Sequence, residues 1–404
     1  MTTKNTANNR LLELDKKYYL PVFKRQPLAI KQGKGVYVTD FTGKKYLDSF
    51  AGIAVNILGH SHPKLLAAIE KQMTKIIHTS NYYVNESQVL LAEKLCKLSG
   101  LNRAFFCNSG AEAVEAAFKI ARKYAHSKGK GGNIISFDNC FHGRTLATIA
   151  SGKKKYQEGF EPIPEGFIKS ALNDTRQVEV KINKDTAAVI IELIQGEGGL
   201  HVVDKNFLMD VRKQCDQHDA LLIFDEIQTG MGRTGKFFAF EHYGVKPDII
   251  TMAKGLAGGL PIGAVLCKQK VADTMEYGSH GSTFGGNALV TAAALATIDI
   301  IEKDKILKKV EETSKIAFDK LKSIAKEETH IREVRGKGLM IGIELTFDGQ
   351  EVVNKMLKRG VLANCTADRV IRLVPPLIIT KSEMMTIIKA FYDSLKEVKK
   401  HDKN

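Results

Sequence analysis

Apolar residues recur along this chain in two rhythms. Short apolar runs read as strands buried on both faces: Ala104-Phe105-Phe106-Cys107, Asn133-Ile134-Ile135-Ser136-Phe137, Ala187-Ala188-Val189-Ile190-Ile191-Glu192, Ala220-Leu221-Leu222-Ile223-Phe224 and Asp248-Ile249-Ile250-Thr251-Met252-Ala253. Between them lie stretches of helical spacing, among them 86–98 and 111–125. From about residue 85 to 300 this alternation predicts a mostly parallel sheet with helices on both faces, an α/β fold. Ahead of it an N-terminal arm leads into a small hairpin, Gly35–Asp40 and Lys44–Asp48, turned at Thr42-Gly43. Behind it a long helical region covers 287–327, and strands return over 331–346 and 369–374. A last helix opens on the capping box Thr380-x-x-Glu383 and carries Met384, Ile387, Ile388, Phe391 and Leu395 on one face. The expected division is an arm and small-domain segment (1–55), a large domain (56–300) and a C-terminal small domain (301–404).

Composition narrows the class. With 404 residues, 44% hydrophobic and 26% charged, the chain suits a soluble globular protein with a large core. A net charge of +15 opens three readings: nucleic acid, an anionic membrane, or anionic small molecules. The lysines alternate with acids, as in Glu302-Lys303-Asp304-Lys305, and aromatic residues are not interleaved with them, so the excess reads as solvated surface. Neither a nucleic-acid nor a membrane partner is expected, and no apolar run reaches the roughly 18 residues of a membrane span. The N-terminus lacks the apolar core of a secretory signal, which points to the cytoplasm. Six cysteines without a CxxC pair read as free, mostly buried thiols in a reducing compartment. His60 and His62 lack cysteine or acidic neighbours, so no metal is expected there.

Chemistry concentrates at the ends of the apolar runs. Lys254 closes the run 248–253 and is followed by Gly255-Leu256-Ala257-Gly258-Gly259, a loop open to a ligand. An amine at the carboxyl end of a strand is placed for Schiff-base chemistry. The run 220–224 ends in Asp225-Glu226, and an amine and an anion on two strand ends of one sheet are what pyridoxal phosphate requires. Asn108-Ser109-Gly110-Ala111-Glu112 has capping-box spacing at a helix start, a ready phosphate site with a serine hydroxyl beside it. In Cys140-Phe141-His142-Gly143-Arg144-Thr145, Phe141 suits stacking on a flat cofactor and Arg144 suits a carboxylate. Glu197 is the one charge in the loop Gln195–Gly199, and Arg372 is a charge inside an apolar strand that requires an anion. Ser282-Thr283-Phe284-Gly285-Gly286 sets hydroxyls ahead of a helix. Each stretch alone has a bland reading as a cap, a turn or a solvated strand end; together they describe one ligand site.

In these stretches the sequence resembles the class-III (ornithine-type) pyridoxal-phosphate aminotransferases, from about Tyr18 to Phe391. The resemblance implies a fold type I transferase, with a large cofactor-binding domain and a smaller α+β domain built from the N- and C-terminal segments. It implies that Lys254 binds the cofactor aldehyde and shuttles the proton, while Asp225 faces the pyridine nitrogen. Gln228 is implied near the ring hydroxyl, Phe141 over the ring, and Ser109, Gly110 and Ala111 around the phosphate. Thr283 is implied to reach the phosphate of a neighbouring subunit, with Ser282 beside it on substrate, so the expected assembly is a homodimer with shared sites. Arg144 and Arg372 match carboxylate-binding positions, and Glu197, on what reads as a flexible glycine loop, is expected to swing onto and off Arg372. Gly52, where ornithine-specific relatives carry tyrosine, points to an acylated donor, as does the ending from Cys365 to Pro376. The implied reaction is amino transfer from N2-acetylornithine to 2-oxoglutarate. Ornithine, succinylornithine, succinyldiaminopimelate or GABA transamination is the alternative, and a basic binding protein that has lost the activity is a reading of another class. Leu193 and Ala288 stand where the family commonly has proline, and Val114 where it has asparagine, which bears on loop geometry and acyl preference.

Overall fold

A computed structural model describes residues 3–401. The chain opens with a helix, Thr3–Tyr18, followed by β1 (Ile30–Lys34), β2 (Tyr37–Asp40) and β3 (Lys45–Asp48). The β2–β3 hairpin is the expected one; the helix and β1 are not foreseen. Both are poor in apolar residues, the helix carrying only Leu11, Leu12 and Leu14 as branched aliphatics, so neither shows a clear period.

The centre of the molecule is a seven-stranded sheet. It contains β4 (Arg103–Cys107), β5 (Asn133–Phe137), β6 (Phe167–Ser170), β7 (Thr186–Ile191), β8 (Leu221–Asp225), β9 (Ile249–Met252) and β10 (Gly263–Cys267), in the order β4-β10-β9-β8-β7-β5-β6. Only β10 runs antiparallel to its neighbours, β4 and β9. Every residue of β7, β8, β9 and β10 is buried, which is why these strands lack polar alternation. Helix Gly110–Ser127 covers one face with Ala113, Val114, Ala117, Phe118, Ile120, Ala121 and Tyr124.

The expected helical region 287–327 is two helices, Ala288–Lys303 and Ile306–Glu327, broken where Lys305 takes a φ of 52°. The C-terminal part adds β11 (Ile331–Lys337), β12 (Met340–Leu345), β13 (Val361–Leu362), β14 (Asn364–Thr366) and β15 (Val370–Leu373). Four of these form an antiparallel sheet in the order β11-β12-β15-β14. The fifth, β13, pairs in parallel with β3, setting Val361 opposite Leu47 and joining the two ends of the chain. Helix Lys381–His401 buries Met384, Ile387, Ile388, Phe391 and Leu395 as its period requires. The cysteines are free, four buried and two half-buried, and His60 lies 2.8 Å from the Asp48 carboxylate.

One polar cluster ties the strands together at the end of the sheet where β9 begins. Asp248 is buried and accepts from the Leu222 N–H at 2.9 Å, the Arg212 guanidinium at 2.7 Å and the Lys268 ammonium at 2.7 Å. Burial opposes its charge, but Arg212 and the donors of Lys268 and Leu222 outweigh it and hold its pKa below the usual carboxylate value. A depressed folded-state pKa contributes stability above the unfolded value, near pH 4, that is lost as pH falls through the folded one. Asp248→Ala, which leaves Lys268 without its anion and Arg212 with Asp216 alone, is expected to cost about 3 kcal/mol. Urea unfolding at pH 7 measures this, and a loss below about 1 kcal/mol would contradict the role.

Candidate active site

Parallel pairing of β8 and β9 sets Asp225 opposite Thr251, so Asp225 and Lys254 leave the carboxyl ends of adjacent strands. Lys254 has a φ of 47°, in the left-handed region that a lysine enters only at a cost, and it opens the short 3-10 helix Lys254–Ala257. A cavity of about 440 Å³, the size of a small-molecule site, lies at these strand ends. Lys254, Asp225, Gln228, Phe141 and Arg144 line it, with Ser109, Gly110 and Ala111 along one wall.

That wall is a helix start. The first-turn N–H groups at Gly110 and Ala111 have no carbonyl partner within the helix Gly110–Ser127, which suits an anion. The Ser109 hydroxyl is engaged as the cap, accepting from the Glu112 N–H at 3.2 Å and donating to the Glu112 carboxylate at 3.0 Å. Ser282 stands one step back, its hydroxyl accepting from the Asn108 amide at 3.2 Å. Thr283 is exposed and outside the lining of this cavity. Gly52, which the sequence suggested as space for an acyl group, is also outside it, exposed in a turn with a φ of 61°.

Arg372 enters from the other sheet. It sits on β15 opposite Gly342 and is only 1% exposed. One guanidinium nitrogen, Nη1, donates to Glu197 at 2.5 Å and to the Gly196 carbonyl at 3.0 Å, and Nε donates to Asn364 at 3.1 Å. The same Nη1 is 3.4 Å from Gln228 Oε1, which brings Arg372 to the edge of the cavity. Gly196 permits this crowding, since a Cβ there would stand 2.3 Å from Gln228 Nε2. Burial opposes the Glu197 charge, but the Arg372 guanidinium outweighs it and lowers the Glu197 pKa. The loop around Glu197 is not the free hinge its glycines suggested. Thr366 Oγ1 holds the Glu197 carbonyl at 2.8 Å, Arg335 Nε holds the Gly199 carbonyl at 2.8 Å, and Glu192 accepts from the Gly196 N–H at 3.0 Å.

Two further residues lining the cavity carry chemistry that the sequence reading did not assign. His142 is buried with Nδ1 2.6 Å from Asp225 Oδ2, while Asp225 Oδ1 accepts from the Ile227 N–H at 3.1 Å. Burial opposes a charge on His142, yet the Cys140 sulfur and the Asp225 carboxylate raise its pKa to about 10. Glu192, just past β7, also accepts from the Phe141 N–H at 2.9 Å, and burial pushes its pKa up to about 7. Both lie in or beside stretches that stood out in sequence, but no period says which loop side chains turn inward. Tyr156 gave no signal at all; its ring lies 3.8 Å beneath the Arg144 guanidinium.

Burial, and after it the charge of Arg372, lowers the Lys254 pKa to about 8 despite the nearby carboxylates. The space therefore meets an amine close to its neutral form, a buried carboxylate, an aromatic ring and a pair of free N–H groups. That donor set fits pyridoxal phosphate: aldehyde, ring nitrogen, ring face and phosphate each have a partner among these residues.

Comparison with known proteins agrees. The profile described as Aminotransferase class-III matches residues 19–395. Acetylornithine aminotransferase of Methanocaldococcus jannaschii is 52% identical over 392 residues, 96% of this chain and 98% of the relative. Among solved structures, an ornithine aminotransferase from Toxoplasma gondii, described with partial occupancy of PLP at its active site, superposes with a TM-score of 0.94 at 31% identity, covering 100% of both chains. Acetylornithine aminotransferase from Elizabethkingia anophelis superposes with a TM-score of 0.88 at 34% identity, over 96% of this chain and 99% of that one. The chain belongs to the class-III aminotransferase family.

Proposed function

We propose that the protein transfers the δ-amine of N2-acetylornithine to 2-oxoglutarate, yielding N-acetylglutamate semialdehyde and glutamate. The observation that carries this is the cavity that combines Lys254 and Asp225 with two guanidinium groups, Arg144 at its mouth and Arg372 at its edge. Curated relatives of similar length at 42–52% identity that carry the acetylornithine name support the donor. Pyridoxal phosphate, the cofactor of this family, supplies an aldehyde that captures amines and a ring that takes up the electron pair left by proton loss.

The chain's own residues do the rest. Lys254 presents the amine that holds the cofactor and then carries the proton between the two carbons that exchange it. Asp225 keeps the proton on the ring nitrogen, and His142 fixes the orientation of that carboxylate from behind. Phe141 covers the ring, Gln228 meets the ring hydroxyl, and the N–H groups of Gly110 and Ala111, with Ser109, hold the phosphate. Arg144, steadied on Tyr156, takes the carboxylate of acetylornithine. Arg372 takes the α-carboxylate of glutamate.

The two substrates differ in charge beside the reacting amine, since acetylornithine has no carboxylate there. Glu197 supplies that anion to Arg372 in the acetylornithine half-reaction and yields it to glutamate in the other. With its backbone held, the exchange is a rotation of the Glu197 side chain. Thr283, exposed in one protomer, completes the phosphate site of a second copy in a homodimer, with Ser282 facing its substrate. We read the large domain as 56–300, with 1–55 and 301–404 forming the smaller one, and the location as cytoplasmic, in keeping with six free cysteines. Among the described residues no helix is long and apolar enough to cross a membrane.

A donor panel with 2-oxoglutarate tests the substrate. N2-acetylornithine is expected to exceed ornithine and GABA in kcat/KM by about tenfold or more, in line with the acetylornithine name that its relatives carry. Ornithine or GABA ahead of acetylornithine would replace this reading with another ω-aminotransferase.

For Glu197→Gln, stopped-flow spectra are expected to show the acetylornithine half-reaction slowed about 100-fold, with little change in the glutamate half. Equal slowing of the two halves would remove the exchange role.

Lys254 sets a pH dependence. Its amine is neutral above a pKa of about 8, so uptake of pyridoxal phosphate by cofactor-free protein is expected to rise about tenfold per unit below pH 8 and level above it. Absorbance after mixing follows this uptake, and a flat rate from pH 6 to 9 contradicts it.

A further inference from the structure

Arg144 is the exposed guanidinium at the mouth of the cavity, and a long side chain in that place would ordinarily sweep through many positions. Its backbone is fixed on both sides. A Cβ on Gly143 would stand 2.9 Å from that of Ala111 and 2.8 Å from Thr148 Oγ1, so the chain passes tightly against the helix that forms the phosphate wall. The Thr145 carbonyl accepts from the Ile149 N–H at 2.9 Å, at the start of the short helix Leu146–Ala150.

What remains free is the side chain. Among the described residues its guanidinium has no hydrogen bond or ion pair; it faces two aromatic rings instead. Arg144 Cζ lies 3.8 Å from the centroid of the Tyr156 ring and 5.4 Å from that of Phe141. The two rings meet edge-on with centroids 6.0 Å apart. A planar guanidinium this close to a ring face is attracted by its π electrons and loses much of its freedom.

Tyr156 is itself anchored. It ends the 3-10 helix Lys154–Tyr156 with its N–H on the Lys153 carbonyl at 2.9 Å, and Gln157 Nε2 donates to the Ile149 carbonyl at 2.8 Å. Ring and guanidinium are thus mounted on the same short helix, Leu146–Ala150. Phe141 and Arg144 line the cavity, whereas Tyr156 does not. Its ring bridges the two lining residues from outside and fixes the one relative to the other.

We propose that Tyr156 sets the chain length of the amino donor. By holding Arg144 at one distance from the reacting amine, it favours an ornithine skeleton over the lysine skeleton, which is one methylene longer. It is a positioning residue: it touches no reacting atom and acts through Arg144. The inference rests on the reading of Arg144 as the site of the donor carboxylate.

The test uses the holoenzyme with 2-oxoglutarate as acceptor and compares N2-acetylornithine with N2-acetyllysine. The ratio of their kcat/KM values is expected to be about tenfold or more, a discrimination that one methylene can supply. Tyr156→Leu is expected to lower that ratio about threefold or more, chiefly through a higher KM for acetylornithine. Tyr156→Phe, which keeps the ring face and removes only the hydroxyl, is expected to keep it. Should Tyr156→Leu fail to fold, Arg144→Lys takes its place: it keeps the charge on a stem that does not stack flat, and is expected to lower the ratio likewise. A merely structural tyrosine would depress both donors alike and leave the ratio where it was. A wild-type ratio near unity, an unchanged ratio in the variant tested, or a ratio lost in Tyr156→Phe overturns the inference while leaving the carboxylate reading standing. If Arg144→Gln leaves kcat/KM for acetylornithine unchanged, that reading falls first and this inference with it.

Discussion

The site depends on the parallel pairing of two buried strands. With Phe224 opposite Ile250 and Asp225 opposite Thr251, one strand releases a carboxylate and the next, three residues beyond Thr251, an amine. A slip of one residue would turn Asp225 to the other face of the sheet and separate the pair. The register is secured by strands whose every residue is buried, and at the far end by Asp248, which binds the Leu222 N–H of β8 and the Lys268 ammonium beyond β10. The chemistry at one edge thus rests on packing and one buried ion cluster at the other.

Charge balance is the second constraint. In a space of low polarity Arg372 acts on Lys254 and Glu197, while Asp225 acts on His142 and Glu192. Arg372 adds to burial in holding Lys254 near neutrality, so the guanidinium proposed to bind a substrate carboxylate would also prepare the nucleophile. Glu197 keeps Arg372 paired when no substrate carboxylate is present. Its loop is held by donors from β11 and β14, which makes the second sheet a scaffold for the proposed switch as well as the carrier of the arginine.

Much of this was legible in sequence because the central strands are apolar on both faces and end in polar or glycine-rich residues. Lys254, Asp225 and Arg372 stood out as charges at the end of, or inside, such runs. Helix Thr3–Tyr18 and strand β1 did not stand out, since their burial is slight and their composition polar. The break at Lys305 was hidden because no glycine or proline marks it. His142, Glu192 and Tyr156 were beyond sequence reasoning for a different cause: loop side chains have no period, and their direction follows from hydrogen bonds to distant strands. The glycines around Glu197 suggested freedom, whereas they serve close approach, as at Gly196 against Gln228.

The central claim is that the cavity at these strand ends holds the cofactor through Lys254. Borohydride reduction of the holoenzyme followed by tryptic peptide mass spectrometry tests it directly, since reduction fixes the cofactor to whichever amine carries it. The account predicts a single pyridoxyl-phosphate adduct on the peptide containing Lys254. An adduct confined to another lysine would contradict it.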